Sequence, residues 1–379
     1  MIYILSGGGS GGPITPLLAL AEEIKQRDSG AKFLFTGPDD HDPSRQLAES
    51  NGMEYFTIRA GKLKRYFALD NLLSPWKNMR GFFQALKFLG DKKPRAVFSA
   101  GSYGSLPLAW AAFFRHIPVF IHQQDIKAGF ANKLMAPVAA AISVTFVKTI
   151  KSFPRKKTFY SGNPVRKSIL QGNREKAFEL FSLRRDRPVL LILGGGTGAL
   201  AINNLIKEAL PRLLEYFQII HIAGKGKNVF QDQAFQETHR FQSIETLEKT
   251  HIDKHQLRDY HVHEFLTDEM ASALAVADIV LTRAGMATLT ELCALGKATV
   301  IIPMPNSHQE ANVAPFQKEE AAIILNQKTL TPEILFNELK LLLEHPEKRK
   351  TMARAMTRVI KSRDAARQII DHLEKTIPA

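Results

Sequence analysis

Short apolar runs that end in glycine or small polar residues recur along the chain, and stretches with apolar residues at helical spacing follow them. "MIYILSGGG" reads as a buried strand and a glycine loop, and "PLLALAEEIKQR" as the amphipathic helix behind it. "AKFLFTG", "PRAVFSAGS" and "IPVFIHQQD" read as further strands. A strongly basic stretch, "KSFPRKKTFYSGNPVRKS", interrupts this order, and then the grammar restarts. "RPVLLILGGGTGALAINNLIKEAL" is again strand, glycine loop and helix, and "FQIIHIAGKGK", "ADIVLTRAG" and "ATVIIPMPN" are later strands. Strands alternating with helices predict an α/β fold with parallel sheets covered on both faces. The boundary is placed at Gly162-Asn163-Pro164, giving domains 1–163 and 164–360. The last stretch, 361–379, contains the helical "RDAARQIIDHLEKTI" and is expected to pack back on the first domain. Ligands of such sheets bind at the carboxyl ends of the strands, where both glycine loops lie.

A length of 379 residues suits two domains. One cysteine, Cys293, excludes a disulfide framework and points to a reducing compartment. The opening apolar run is too short for a secretory signal core. No uncharged apolar window reaches the ~18 residues a membrane span needs. The nearest, "LPLAWAAFFRHIPVFIH", is interrupted by Arg115, His116 and Pro118. A soluble or peripheral protein is expected. The net charge of +14 fits a solvated basic surface or an anionic partner. Without zinc-finger spacing or an aromatic-rich RNA-binding signature, nucleic acid is not the expected partner.

A glycine loop between strand and helix bares backbone N–H groups beside the positive end of the helix dipole, so a phosphate or diphosphate fits there. A tight turn is the plain alternative. Neither glycine loop is a P-loop, because no Gly-Lys-Ser/Thr follows. Neither is a clean dinucleotide fingerprint, since Asp39 and Asp40 come only after a Gly-Pro break. A third loop, "LTRAGMATLTELCALG", runs from strand to helix at Ala284-Gly285. Its N–H groups near Gly285 to Ala287 and the Thr288 hydroxyl would face an anion. Glu291, about a turn further on, suits two vicinal hydroxyls such as a ribose offers, or serves only the helix dipole. In "PNSHQEANVAPF", His308 and Asn312 share a helix face, with Gln309 beside them. Such groups suit sugar hydroxyls, although a simple helix cap by Asn306 or Ser307 reads as well.

Taken in order, "GGGSGGPITPLLAL", "SAGSYGSLP", "IHQQDIKAGFANKL", "GNPVR", "LGGGTGALAIN", "AGKG", "EFLTDEM", "RAGMATLTEL" and "PNSHQEANVA" span essentially the whole chain. The chain resembles the MurG family, glycosyltransferases that add N-acetylglucosamine to lipid I in bacterial cell-wall synthesis. The resemblance implies the GT-B architecture, two Rossmann-like domains with parallel sheets separated by a deep cleft. It implies that the C-terminal domain binds UDP-N-acetylglucosamine. Glu291 would hold the ribose, and Gly285, Met286, Ala287 and Thr288 would line the diphosphate. Phe265 and Leu266 would flank the uracil, with Met270 nearby. His308 and Gln309 would meet the sugar, Gly196 and Thr197 the diphosphate or sugar, and Arg166 would reach the donor from beyond the linker. The N-terminal domain would bind a lipid-linked diphosphate acceptor near Ser10, Gly11 and Gly12, with Tyr103, Asp125 and Asn132 in the acceptor-side motifs.

The implied reaction is an inverting transfer to the 4-hydroxyl of the acceptor's muramoyl sugar, giving lipid II. No metal site and no required cofactor are expected, a divalent cation being at most stimulatory. The implied place is the cytoplasmic face of the bacterial inner membrane. The same family pattern also accommodates another lipid or glycan acceptor, or a UDP-sugar-binding protein without turnover.

Two positions depart from the family. Where the family has Gly-Gly-His, this chain has Gly12-Pro13, and proline cannot accept a proton. Where the family reads His-Glu-Gln-Asn, this chain has His122-Gln123-Gln124-Asp125. Asp125 is therefore the expected general base, with His122 as the next candidate, and neutral drift at Asp125 is the alternative. Finally, "GKLKRYFALDNLLSPWKNMRGFFQALKFLGDKK" mixes basic and aromatic residues, as an anionic membrane interface requires. Exposure of Phe67, Leu73 and Trp76 would separate that reading from a core helix with a solvated basic face.

Overall fold

In a computed structural model the described residues are 1–8, 12–39, 42–61, 69–195, 198–227 and 254–377. The chain divides into two compact units, Met1–Lys167 with Ile360–Ala379, and Ser168–Val359. The first unit thus runs past the Gly162-Asn163-Pro164 boundary to Lys167 and takes back the end of the chain.

The first unit holds a seven-stranded sheet in the order β3-β2-β1-β4-β5-β6-β7. Its strands are β1 (Ile2–Ser6), β2 (Lys32–Gly37), β3 (Glu54–Thr57), β4 (Ala96–Ser99), β5 (Val119–Gln123), β6 (Ala141–Val144) and β7 (Thr158–Tyr160). The second unit holds six strands in the order β10-β9-β8-β11-β12-β13. These are β8 (Val189–Leu193), β9 (Gln218–Ile222), β10 (Tyr260–His263), β11 (Ile279–Thr282), β12 (Thr299–Ile301) and β13 (Ile323–Ile324). Every pairing in both sheets is parallel. The central strands are buried along their whole length, for example Val189–Leu193. Burial on both faces is why they read as unbroken apolar runs rather than alternating ones.

Strand order reverses between β1 and β4 in one sheet and between β8 and β11 in the other. Such switch points open a crevice beyond the carboxyl ends of the strands. The first glycine loop follows β1, the second follows β8, and the Arg283–Gly285 loop follows β11. All three therefore lie where the topology leaves room for a ligand.

The helix Ala365–Thr376 lies against the helix Ile14–Arg27 of the first unit. Ala366, Ile369, Ile370 and Leu373 join Leu17, Leu20 and Ile24 in one buried cluster. Arg27 adds ion pairs to Asp371 at 2.7 Å and Glu374 at 3.0 Å. Where the outgoing chain crosses this returning segment, Gly162 has φ +79°, and an added Cβ would stand 1.9 Å from the Lys361 carbonyl oxygen. Only glycine fits that crossing.

Candidate functional site

In the second unit the helix Met286–Leu295 starts at Gly285, and no side chain caps it. The first N–H groups of a helix have no partner within the helix, so these are open to a ligand. Gly285 has φ −73° and ψ 127°, a conformation any residue adopts, and a Cβ there would meet no atom within 4 Å. Neither backbone nor packing requires glycine at this place. Its absent side chain keeps the helix end clear. Ala287 and Thr288 are half-buried in the first turn, and Glu291 is buried further along. The Met286 side chain lies in the core at 3% exposure. Only its backbone can face a diphosphate.

Gln309 has a role that spacing alone did not disclose. Its Oε1 accepts from Ala284 N at 3.2 Å and from Met304 N at 3.0 Å. It thereby joins the loops after β11 and β12. Asn312 is buried and donates to the Ala284 carbonyl at 3.2 Å, so it braces the loop rather than facing a sugar. His308 is exposed at the start of the short helix Gln309–Asn312. Arg283 was also not singled out from the sequence. It is a buried cation at the head of the Gly285 loop, and Nη1 donates to the Ile302 carbonyl at 3.0 Å.

After β10, Phe265 is exposed and Leu266 buried beneath it, with Met270 half-buried in the next helix. Glu264 accepts from Gly226 N at 3.0 Å and ties this loop to the one after β9. A buried relay sets the latter. Asn203 donates to the carbonyls of Ala223 at 3.0 Å and Lys227 at 2.8 Å. Its Oδ1 must then accept from His221 Nε2 at 3.1 Å, and His221 Nδ1 accepts the Tyr260 hydroxyl proton at 2.7 Å. Gly198, at φ +72°, seats the second glycine loop on the same backbone, since a Cβ would come within 2.3 Å of the Ala223 carbonyl. Gly196 and Thr197 lie outside the described residues.

In the first unit, Pro13 precedes the helix Ile14–Arg27 with φ −65° and ψ −19°, and no side chain caps this helix either. Gly12 is half-buried there, while Ser10 and Gly11 lie outside the described residues. Ser6 donates to Ser105 at 2.8 Å across the switch point, and Tyr103 is half-buried on the loop after β4. The loop after β5 is held from inside by Gln123. Its Nε2 donates to the carbonyls of Asp125 at 2.9 Å and Lys127 at 3.2 Å, and its Oε1 accepts from Gly129 N at 3.1 Å and Asn132 Nδ2 at 2.8 Å. Asn132 is buried and its Nδ2 is engaged there, while its Oδ1 has no hydrogen-bond partner among the described residues. Asp125 sits half-buried on the loop thus fixed, and Arg166 is half-buried beyond the linker turn.

His122 is corrected as a candidate base. It is 2% exposed, with Nδ1 2.8 Å from Ser143 Oγ and Nε2 2.6 Å from Asn163 Oδ1. Neither nitrogen is free to take a substrate proton. Burial, which outweighs the Asn163 bond, pushes its pKa down to about 4. Unfolded histidine titrates near 6.5, so between these values the unfolded chain binds the extra proton. Stability is then complete above pH ~6.5 and falls as the pH drops toward 4, by at most ~3 kcal/mol at one pKa unit per 1.36 kcal/mol. Urea unfolding of His122→Gln is expected to show a shallower loss over this window. An unaltered slope would remove His122 from the account. His221, pushed down to about 3 by burial, keeps the slope from vanishing.

Two Rossmann-like units, each with a parallel sheet and an uncapped helix start at its switch point, make up the GT-B fold. Residues 3–144 match the glycosyltransferase family 28 N-terminal domain, and residues 189–372 the glycosyltransferase family 28 C-terminal domain. A Clostridium kluyveri protein described as UDP-N-acetylglucosamine--N-acetylmuramyl-(pentapeptide) pyrophosphoryl-undecaprenol N-acetylglucosamine transferase is 34% identical over 378 residues, covering 98% of each chain. The crystal structure of Acinetobacter baumannii MurG matches with a TM-score of 0.68 at 26% identity, over 99% of both chains. A UDP-GlcNAc 2-epimerase from Neisseria meningitidis, solved with UDP-GlcNAc, matches in fold with a TM-score of 0.67 at 16% identity, over 99% of this chain and 100% of that one. The chain belongs to glycosyltransferase family 28.

Proposed function

We propose that this protein transfers N-acetylglucosamine from UDP-N-acetylglucosamine to the muramoyl 4-hydroxyl of an undecaprenyl-diphosphate-linked acceptor. The observation that carries the donor half is the uncapped helix start at Gly285, kept clear by a glycine the backbone does not need, with Glu291 buried behind it. The likeness to the Clostridium kluyveri transferase along nearly the whole chain supports the acceptor. The acceptor oxygen attacks the anomeric carbon, the bond from that carbon to the diphosphate breaks, and UDP leaves with the electron pair. Backbone N–H groups at the helix start stabilise the leaving diphosphate. Asp125 takes the hydroxyl proton, since Pro13 has none to exchange and His122 is fully engaged. No cofactor takes part in this scheme.

The test is transfer of label from UDP-N-acetylglucosamine to a lipid-linked muramoyl pentapeptide acceptor. Absence of transfer with UDP-N-acetylglucosamine still bound would overturn the acceptor assignment. Pro13 favours that second reading, a different lipid or glycan acceptor for the same donor chemistry.

The first unit would also dock on the inner face of the plasma membrane. It carries 28 Lys and Arg against 14 Asp and Glu, while the second unit has 23 of each. The whole net charge therefore belongs to the first unit. Trp76, Phe83, Phe113 and Phe114 are exposed in that unit, with 68% of Trp76 open to solvent. Phe67 lies outside the described residues, and so does the side chain of Leu73. Each basic residue near an anionic surface contributes about 1 kcal/mol. Sedimentation with phosphatidylglycerol vesicles is expected to fall severalfold in Trp76→Glu/Phe83→Glu and to weaken with salt. Equal sedimentation of the variant would exclude this face.

A further inference from the structure

Arg283 stands at the end of β11, two residues before the glycine that opens the helix Met286–Leu295. Its side chain is 8% exposed. One backbone carbonyl, that of Ile302, accepts from Nη1. Among the described residues no carboxylate pairs with it, in contrast to two arginines that are sheltered less. Arg187 meets Asp259 at 2.6 Å, and Arg27 meets Glu23, Asp371 and Glu374. A guanidinium has five donors and keeps its charge in proteins. An uncompensated buried charge is among the costliest groups a fold can hold. A missing anion would remove that cost.

The neighbourhood says which anion. Ile302 follows β12, and two residues further on the Met304 N–H shares Gln309 Oε1 with the Ala284 N–H. The guanidinium is thus held among the two loops that frame the open helix start, at the carboxyl ends of β11 and β12. Backbone N–H groups, a helix dipole and a buried cation together suit two linked phosphates better than a neutral sugar or base.

We infer that the diphosphate of the bound nucleotide sugar is the counter-ion of Arg283. This rests on the donor reading above. When the bond from the anomeric carbon to the diphosphate breaks, its electron pair stays on the β-phosphate oxygen and adds negative charge. Arg283 balances that charge.

Arg283→Gln tests this, because glutamine keeps an N–H for the Ile302 carbonyl and loses the charge. Calorimetric titration of the full chain with UDP and with uridine is the readout. UDP affinity is expected to fall about 30-fold or more, the range for losing one member of a buried charge pair. Uridine affinity is expected to be unchanged, and the melting temperature without nucleotide not to fall. UDP affinity within about twofold of the parent would overturn the inference, and so would a parallel loss for uridine. If Arg283→Gln does not fold, Arg283→Lys against Arg283→Met asks the same question: the charged variant must hold UDP more tightly than the neutral one. Failure of the donor reading itself looks different, since the unaltered protein would then bind neither UDP nor uridine.

Discussion

Asp125→Asn is expected to slow transfer about 10²- to 10⁴-fold, the usual worth of a positioned general base. Asparagine is nearly isosteric, so KM for the donor should hold while kcat falls. The neighbouring histidine cannot take over, because Ser143 and Asn163 occupy both of its nitrogens. The loop itself should stay in place, since Gln123 grips its backbone rather than the Asp125 side chain. A second variant sharpens the result. Pro13 has φ −65° and ψ −19°, which histidine adopts without strain. Pro13→His in the Asp125→Asn background restores the family's ionisable group and should recover part of the rate. Turnover unchanged by Asp125→Asn would end its assignment as base.

Gly285→Val should act on the ligand and not on the fold. Valine accepts φ −73° and ψ 127°, and no atom lies within 4 Å of its Cβ. Stability should stay within about 0.5 kcal/mol of the parent. The branched side chain would, however, occupy the space above the open N–H groups. Donor KM is expected to rise about tenfold or more, equivalent to about 1.4 kcal/mol of lost binding. Gly198→Val is the contrasting control, because its φ of +72° and the Ala223 carbonyl at 2.3 Å make it unfold the second unit instead. An unaltered donor KM in Gly285→Val would move the diphosphate away from this helix.

What the sequence disclosed follows burial. The central strands read clearly because both their faces are covered. The strands not foreseen were β3, β6, β7, β10 and β13, and four of these are the outer strands of the two sheets. An outer strand is short and half-exposed, so its apolar signal is weak. Tyr260–His263 carries two histidines and is buried only at its start. β6 is central, but its "AISV" follows a run of alanines that reads as helix. Among the candidate site residues, the glycines and Glu291 stand out by spacing. Gln309 and His122 do not disclose their roles, because each is defined by a partner more than twenty residues away in sequence. Arg283 escaped notice because the absence of a counter-ion is a property of three-dimensional surroundings.

The returning helix Ala365–Thr376 imposes an order on synthesis. A ribosome releases the first unit's sheet early, but Ala366, Ile369, Ile370 and Leu373, which complete its core, emerge last. The second unit, contiguous from Ser168 to Val359, can close while its elder neighbour is still unfinished. The half of the protein translated first is therefore the half that matures last. A nascent chain stalled before residue 360 should display an N-terminal unit open to proteases beside a protected C-terminal one.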